Sequence, residues 1–557
     1  MADKPVRYIV VLGSLMSGLG KGILTASIGR ILQSKGYSAS PIKFDGYLNV
    51  DCGTMNPLRH GEVFVLDDGT ECDMDFGTYE RFLNTSIKGT NSITGGKLFR
   101  KVIDKERAGG YLGRDVQIVP HLTDEIKSWI RNVGKETGSD FVLIEVGGTV
   151  GDLENSYFIE AMRQMSREEG DKMLFMQLTY VTALSPGELK TKPTQHANKL
   201  ITSMGIQPKI IVCRGDESLD KDAREKISLF CNVSMEDVFD DPKLETIYEL
   251  PVVLEKQKFS SRLLGHFGLK ASEEDLKIWS VMVSKIKDPK NEINVAISGK
   301  YTAVKDAYVS VKEALVHAAA ANNTRVHVDW VDTERLEKEE GLRAAELLGK
   351  YDGIIVPGGF GNRGVEGKIK AIRHCREKGV PYLGLCLGMQ LMVVEYARHV
   401  AKMEGANSTE MDEKSPYPVI HIMPEQLKIK GMGANMRLGA WECVLKKGTR
   451  ASEAYATDKS IFERHRHRYE VNNELVPKLE EAGLVFSGRS PDGRIVEMSE
   501  WKESFGIGTQ GHPELKSRLE APAPLFAAFV KAALKRQKEN GEKKEGKEEA
   551  KKEDKKE

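Results

Sequence analysis

Short apolar runs alternate with stretches in which apolar residues recur every third or fourth position, the pattern of strands separated by amphipathic helices. In the first half the runs YIVVLG, SPIKFD, FVLIEVGG, LFMQLTYV and KIIVC predict strands; in the second, INVAISG, VHVDWV, YDGIIVPGG, PYLGLC and the GIGTQGHPE segment do. Strands this apolar, spaced by helices, belong in parallel sheets covered on both faces. Between the halves, SEEDLKIWSVMVSKIK sets Leu276, Trp279, Val283 and Ile286 at helical spacing behind a Ser272 cap, and DPKNE ends the pattern. From Lys535 the chain alternates charge sign with almost no apolar residue, so burial cannot offset its ordering entropy. The pattern predicts an α/β protein of two doubly wound parallel-sheet domains, residues 1–270 and 293–535, with an interdomain linker helix at 271–292 and a disordered charged tail at 536–557.

At 557 residues the chain exceeds a single core, which favours a multidomain enzyme. Lys plus Arg equals Asp plus Glu at 82 each, so there is no net field to gather nucleic acid or an anionic membrane, and anion binding must come from local patches. The seven cysteines are odd in number and form no CxxC pair, which excludes a disulfide framework and a zinc ribbon and fits a reducing cytoplasm. No apolar run approaches the ~20 residues of a membrane span, so a soluble, cytoplasmic protein is expected.

Ligands of open parallel sheets gather beyond the carboxyl ends of the strands, and the unusual residues fall there. YIVVLG runs into GSLMSGLGKG and then a helix, the order of a phosphate cradle: backbone amides approach the anion and Lys21 supplies the cation. Gly22 stands where a Walker loop has the Ser or Thr that holds magnesium, so carboxylates from neighbouring strand ends are expected to replace it, with Asp75 and Glu145 as candidates. Lys43, Lys190, Lys192, Arg214 and Lys226 are loop cations that together could neutralise a second polyphosphate.

VPYLGLCLGMQLMVVEYA has the layout of a nucleophile elbow, with Cys386 held between glycines where a strand turns sharply into a helix. The helix N-terminus favours the thiolate, and GHPE offers His512 as base and Glu514 as its orienting group. The loop Pro357 to Gly361 can aim amides at a tetrahedral oxyanion, alongside the amide of Leu387.

GLCLGMQ, VPGGFG and HPE resemble the class I glutamine amidotransferases. From about residue 6 to 535 the chain resembles the CTP synthase family, on GLGKG, KFDGYLNVDCGTMNP, HGEVFVLDDGTECDMDFGTYERF, IEVGGTVGD, GELKTKPTQH, LFCNV, GKYTAVKDAY, NRGVEGKI, MRLGAW and RHRHRYEVNN, all in order. The resemblance implies a P-loop, Rossmann-like synthase domain and a flavodoxin-like glutaminase domain. It implies ATP- and magnesium-dependent amination of UTP to CTP through a 4-phosphoryl-UTP intermediate, with ammonia from L-glutamine passed between the domains. It further implies activation by GTP, feedback inhibition by CTP, and homotetramers that can form filaments. Carried over residue by residue, Ser17, Gly18, Leu19, Gly20, Lys21, Gly22, Lys43 and Asp75 match the ATP site, with Asp75 and Glu145 as magnesium ligands. Ser17, Asp152, Glu154, Lys190, Lys192, Gln195 and Lys226 match the UTP and CTP site, and Pro57, His60 and Val63 border the ammonia passage. Gly359, Leu387, Gln390, Glu410 and Arg468 match oxyanion and glutamine contacts. Lys300 and Arg437, with Arg468, are candidates for the GTP effector site.

Some positions depart from the family pattern. Ser14 replaces a glycine and Gly18 a serine in the phosphate loop; Gly46 replaces a proline, predicting a looser turn; Gly511 stands where an aromatic residue usually precedes HPE, predicting a freer backbone before His512. Two other readings remain open on the residues: a P-loop ligase fused to a glutaminase but acting on a corrinoid carboxylate, and a partition-type ATPase working by dimer switching. The second lacks a basic surface and has no use for Cys386. A structural role in filaments would coexist with catalysis.

Overall fold

In the computed structural model the described residues are 5–185, 187–272, 276–300, 305–339, 341–422 and 436–553. The chain divides into two compact units. The first comprises residues 1–52 and 75–283, the second 53–74 and 284–557. The stretch 53–74, read from the sequence as part of 1–270, therefore belongs to the second unit.

The first unit holds a seven-stranded sheet. Its strands are β1 (Arg7–Gly13), β2 (Ala39–Asp45), β3 (Ser92–Thr94), β4 (Phe141–Val146), β5 (Met173–Tyr180), β6 (Ile210–Gly215) and β7 (Val238–Pro242). Their order is β7-β6-β5-β1-β4-β2-β3, and every pairing is parallel. The five predicted strands are the five central ones. Tyr8, Val10, Leu12, Phe44, Val142 and Ile144 share one hydrophobic cluster, where Phe44 stacks on Phe158 at 4.4 Å. Helix α1 (Lys21–Ser34) follows β1, and α2 (Asp75–Leu83), α3 (Lys192–Ser203) and α4 (Lys221–Cys231) carry later site residues. Helix α5 (Lys277–Lys287) holds Trp279 fully buried, its indole N–H donating to the Tyr248 carbonyl at 2.7 Å. The predicted apolar face is present: Leu276 and Val283 are buried too, while Ile286 is half-buried. Residues 273–275, next to the expected Ser272 cap, lie outside the described residues.

The second unit is built on a nine-stranded sheet. Five parallel strands come first: β8 (Asn291–Gly299), β9 (Thr324–Asp332), β10 (Gly353–Val356), β11 (Tyr382–Leu385) and β16 (Gly506–Thr509), in the order β9-β8-β10-β11-β16. These are the predicted strands. Beyond β16 the sheet turns antiparallel through β15 (Val496–Glu500), β14 (Val485–Arg489), β12 (Arg437–Leu445) and β13 (Ser460–His467), which the sequence reading did not include. Helices α6 (Val309–Ala321), α7 (Val365–Lys378) and α8 (Leu387–His399) cover the parallel part. Helix α9 (Pro524–Glu553) buries Leu525, Phe526, Phe529, Val530 and Ala533. The charged run from 536 continues this helix to Glu553, with no large apolar side chain after Leu534.

The stretch 53–74 is strapped to the second unit by polar contacts. Asp67 accepts from Arg464 Nε at 2.6 Å, Glu71 from Arg466 Nε at 2.7 Å and Glu62 from the Ser310 amide at 2.8 Å. Among the described residues no helix is long and apolar enough to cross a membrane. All seven cysteines are free and buried.

Candidate functional site

Both sheets gather their chemistry at the carboxyl ends of their strands. In the first unit β1 leads into the glycine-rich loop, where Gly20 takes a left-handed conformation (φ 90°) to begin α1, and Lys21 is the first helical residue. Ser17 and Gly18 are exposed on this loop, and Arg214, at the carboxyl end of β6, donates to the Leu19 carbonyl at 3.0 Å. A Cβ at Gly22 would overlap the Asp75 carboxylate, so a carboxylate stands where a Walker loop places its hydroxyl. The sheet register sets Lys43 beside Glu145. Lys43 bonds Asp75 and lies 4.0 Å from Glu145, which also accepts from the Tyr79 hydroxyl. Burial pushes the Glu145 carboxyl up to about 7, with Lys43 opposing and Asp75 assisting. Lys21 donates to the Gly148 carbonyl at 2.7 Å, and burial holds its ammonium below the ordinary lysine value against the pull of Glu145.

The second cation group lies along α3 and α4. Lys190 pairs with Glu188; Lys192 reaches Gln195 Oε1 at 3.2 Å and sits 5.2 Å over the Phe230 ring, one turn from Lys226, which pairs with Asp222. Glu188 is drawn down by its bond to Lys190 first and also by Lys226, so these cations share one neighbourhood. Asp152 is fixed by the Thr149 amide and hydroxyl at 2.7 and 2.8 Å, in a loop that packs at Gly151 against Leu200 of α3. The turn at Gly46 is filled and not loose: a Cβ there would stand 2.5 Å from Asn155 Oδ1 and 2.9 Å from the Glu154 carbonyl.

In the second unit Cys386 sits between β11 and α8 with φ 51°, a positive-φ backbone that side chains rarely adopt and that marks strain at the turn. A Cβ at Gly388 would overlap the Val356 carbonyl, so that glycine lets the helix start against β10. Glu514 bonds His512 Nδ1 at 2.6 Å, and Gln510 Nε2 lies 3.7 Å from Cys386 Sγ. Burial works to lower the His512 pKa, but Glu514 and Cys386 together hold the imidazole well above its ordinary value. Its Nε2 is buried without a conventional hydrogen bond, beside the thiol. The backbone before His512 is pinned, contrary to the freedom expected of Gly511. The His512 amide bonds the Arg464 carbonyl at 2.7 Å, the Gly511 amide bonds Thr509 Oγ1 at 3.2 Å, and a Cβ on Gly511 would stand 2.9 Å from Glu463 Cβ.

A cavity of about 440 Å³ opens on the triad, walled by Gly358, Gly359, Phe360, Glu410, Arg466, Arg468 and Tyr469, with Pro57 and Val63 from the strap. Glu410 accepts from the Gly361 amide at 2.7 Å, and Lys300 bonds the Phe360 carbonyl. Three residues assigned from the sequence have other surroundings. Gln390 is buried, its amide donating to the Tyr469 carbonyl at 3.0 Å and Gln510 Oε1 at 3.2 Å. His60 is exposed. Arg437, offered for GTP, is buried with its guanidinium committed to Glu470 at 3.0 Å and Glu497 at 2.7 Å; residues 433–435 of its loop lie outside the described residues. The sequence reading missed Gln510, Arg466 and Tyr469 as site residues, although all three stand within two positions of ones it chose.

Fold and site together define a P-loop, nucleotide-binding unit joined to a class I glutamine amidotransferase. The family pattern described as CTP synthase N-terminus matches residues 7–269, and that of glutamine amidotransferase class-I matches 303–532. The chain is 50% identical over 530 residues to the CTP synthase of Methanopyrus kandleri, spanning 95% of this chain and 99% of that one. It is 50% identical over 539 residues to that of Caldanaerobacter subterraneus subsp. tengcongensis, spanning 96% and 100%. A solved structure, the glutaminase domain of Trypanosoma brucei CTPS with bound acivicin, is 39% identical with a TM-score of 0.41, covering 44% of this chain and 94% of that one. The chain belongs to the CTP synthase family: it is a ligase of pyrimidine biosynthesis, forming CTP from UTP with ATP and glutamine.

Proposed function

We propose that the two sites divide the reaction, the first unit activating UTP with ATP and the second releasing ammonia from glutamine. The supporting observation is the Cys386, His512 and Glu514 constellation at the cavity that Pro57 and Val63 also wall. Arg468, with a buried Nε that makes no hydrogen bond, and Glu410 are suited to the carboxylate and ammonium of glutamine. Cys386 attacks the amide carbon, the amides of Gly359 and Leu387 hold the oxyanion, and His512 gives its proton to the departing ammonia. Water then releases glutamate, and ammonia leaves past Pro57 and Val63.

In the first unit Lys21 and the loop amides hold ATP phosphates, with Lys43 beside them. Lys190, Lys192, Lys226 and Gln195 hold the UTP triphosphate, with Asp152 and Glu154 nearby. Asp75 and Glu145 fit magnesium: two oxygen donors, one held near neutrality by burial, suit a cation that completes its shell with substrate phosphates. Bound there, magnesium would neutralise phosphate charge during transfer to the UTP 4-oxygen. Ammonia then displaces that phosphate to give CTP. GTP activation, CTP inhibition and a tetramer belong to the same reading.

The test is CTP formation from UTP, ATP and magnesium, with glutamine or ammonium chloride as nitrogen donor. Wild type uses both donors; Cys386→Ala uses only ammonia. Loss of both in the variant, or retention of the glutamine reaction, refutes the division.

A further inference from the structure

The oxyanion loop has a second face. A side chain added at Gly358 would meet the His512 ring at 3.0 Å and Cys386 Cβ at 3.6 Å, so that position faces the triad. One added at Gly359 would meet Lys368 Nζ at 3.5 Å, Leu387 at 3.7 Å and Lys300 at 3.9 Å. Lys368 lies in the first turn of α7, is 0% exposed, and its amine makes no hydrogen bond. A buried amine without an acceptor is costly, and an apolar side chain of the same length would pack there at no such cost. The packing of α7 therefore does not explain it.

We propose that Lys368 is a positioning residue for glutamine hydrolysis, its amine standing behind the oxyanion loop at Gly359 as anionic charge develops at Cys386. This rests on Cys386 being the nucleophile. The charged and titratable groups facing the amine are Lys300 from the end of β8, Cys386 from the elbow and Glu410 from its loop. Burial, then Lys300, brings the Lys368 ammonium down to about 7, while Cys386 and Glu410 draw it up. Its charge is thus set by the charge in the cavity: a thiolate or oxyanion across the loop favours the protonated amine, and an empty, neutral cavity does not. The ammonium stabilises that charge through the loop peptide without touching substrate.

Lys368→Met keeps length and volume, so the variant folds, with a thermal midpoint no lower than wild type and unchanged ammonia-driven CTP formation. Glutamate release is the readout. The expected kcat for glutamine falls about tenfold or more with KM nearly unchanged. In wild type, kcat/KM for glutamine declines as pH rises through about 7, where the amine loses its proton. In Lys368→Met that limb is absent. Wild-type kcat and pH profile in the variant overturn the proposal. Cys386→Ala run in parallel is expected to release no glutamate; if it does, the nucleophile assignment falls and the positioning role with it.

Discussion

At the scale of single residues, one hydrogen bond governs the proton on His512. Glu514 is what chiefly keeps the buried His512 imidazole protonated against burial. In Glu514→Gln the larger support is gone and only Cys386 opposes burial, so the imidazole holds less firmly the proton that departing ammonia needs. Glutamate release is expected to fall about 10²- to 10⁴-fold, as when other triads lose their orienting carboxylate, while ammonia-driven CTP formation holds. The Cys386, His512 and Glu514 grouping was legible in the sequence because its signals are local: glycines around Cys386, and a single residue, Pro513, between His512 and Glu514. The burial of Lys368 and the partners of Gln390 were not legible, because at those positions they come from strands and loops distant in sequence. No periodicity marks Lys368 as anything but a helix lysine.

At the scale of elements, the parallel strands announced themselves by apolar runs, whereas the antiparallel extension did not. Strand β13, SIFERHRH, buries Glu463, Arg464, His465 and His467, so it reads as a solvated segment. The same region holds Arg437 of β12 between Glu470 and Glu497, partners 33 and 60 positions away. Burial pushes the Glu470 carboxyl up to about 8, with Arg437 opposing, and raises Glu497 too. The folded state thus holds a proton that the unfolded chain gives up near 4.5, and stability of the second unit falls as pH rises from there to about 8. Glu470→Gln, which cannot ionise, flattens that slope in urea unfolding followed at pH 5 and pH 8. Above pH about 8, where Glu470 ionises, Arg437→Met leaves two buried carboxylates without their cation and is expected to cost about 3–5 kcal/mol. Were Arg437 free to serve an effector, that cost would be near zero.

At the scale of the whole molecule, the two-sheet plan was readable, because length and alternation impose it, but the chain's route through it was not. The assignment of 53–74 to the second unit depends on contacts such as Asp67 with Arg464, 397 positions apart, which leave no mark on the local pattern. Arg464 is fully buried, so its pairing with Asp67 holds the strap with a group that cannot cheaply be left alone. Hydrogen exchange checks this: amides of 53–74, among them Glu62 bonded to the Asp306 carbonyl at 3.0 Å, are expected to gain and lose protection together with β12 and β13. Exchange in step with flanking α2 would overturn it. Because the backbone passes between units after residues 52, 74 and 283, cutting it after 283 does not sort the protein into its two halves. The fragment 1–283 still carries a piece of the other unit, so a gene split at that point yields two polypeptides that must find each other to finish one of them.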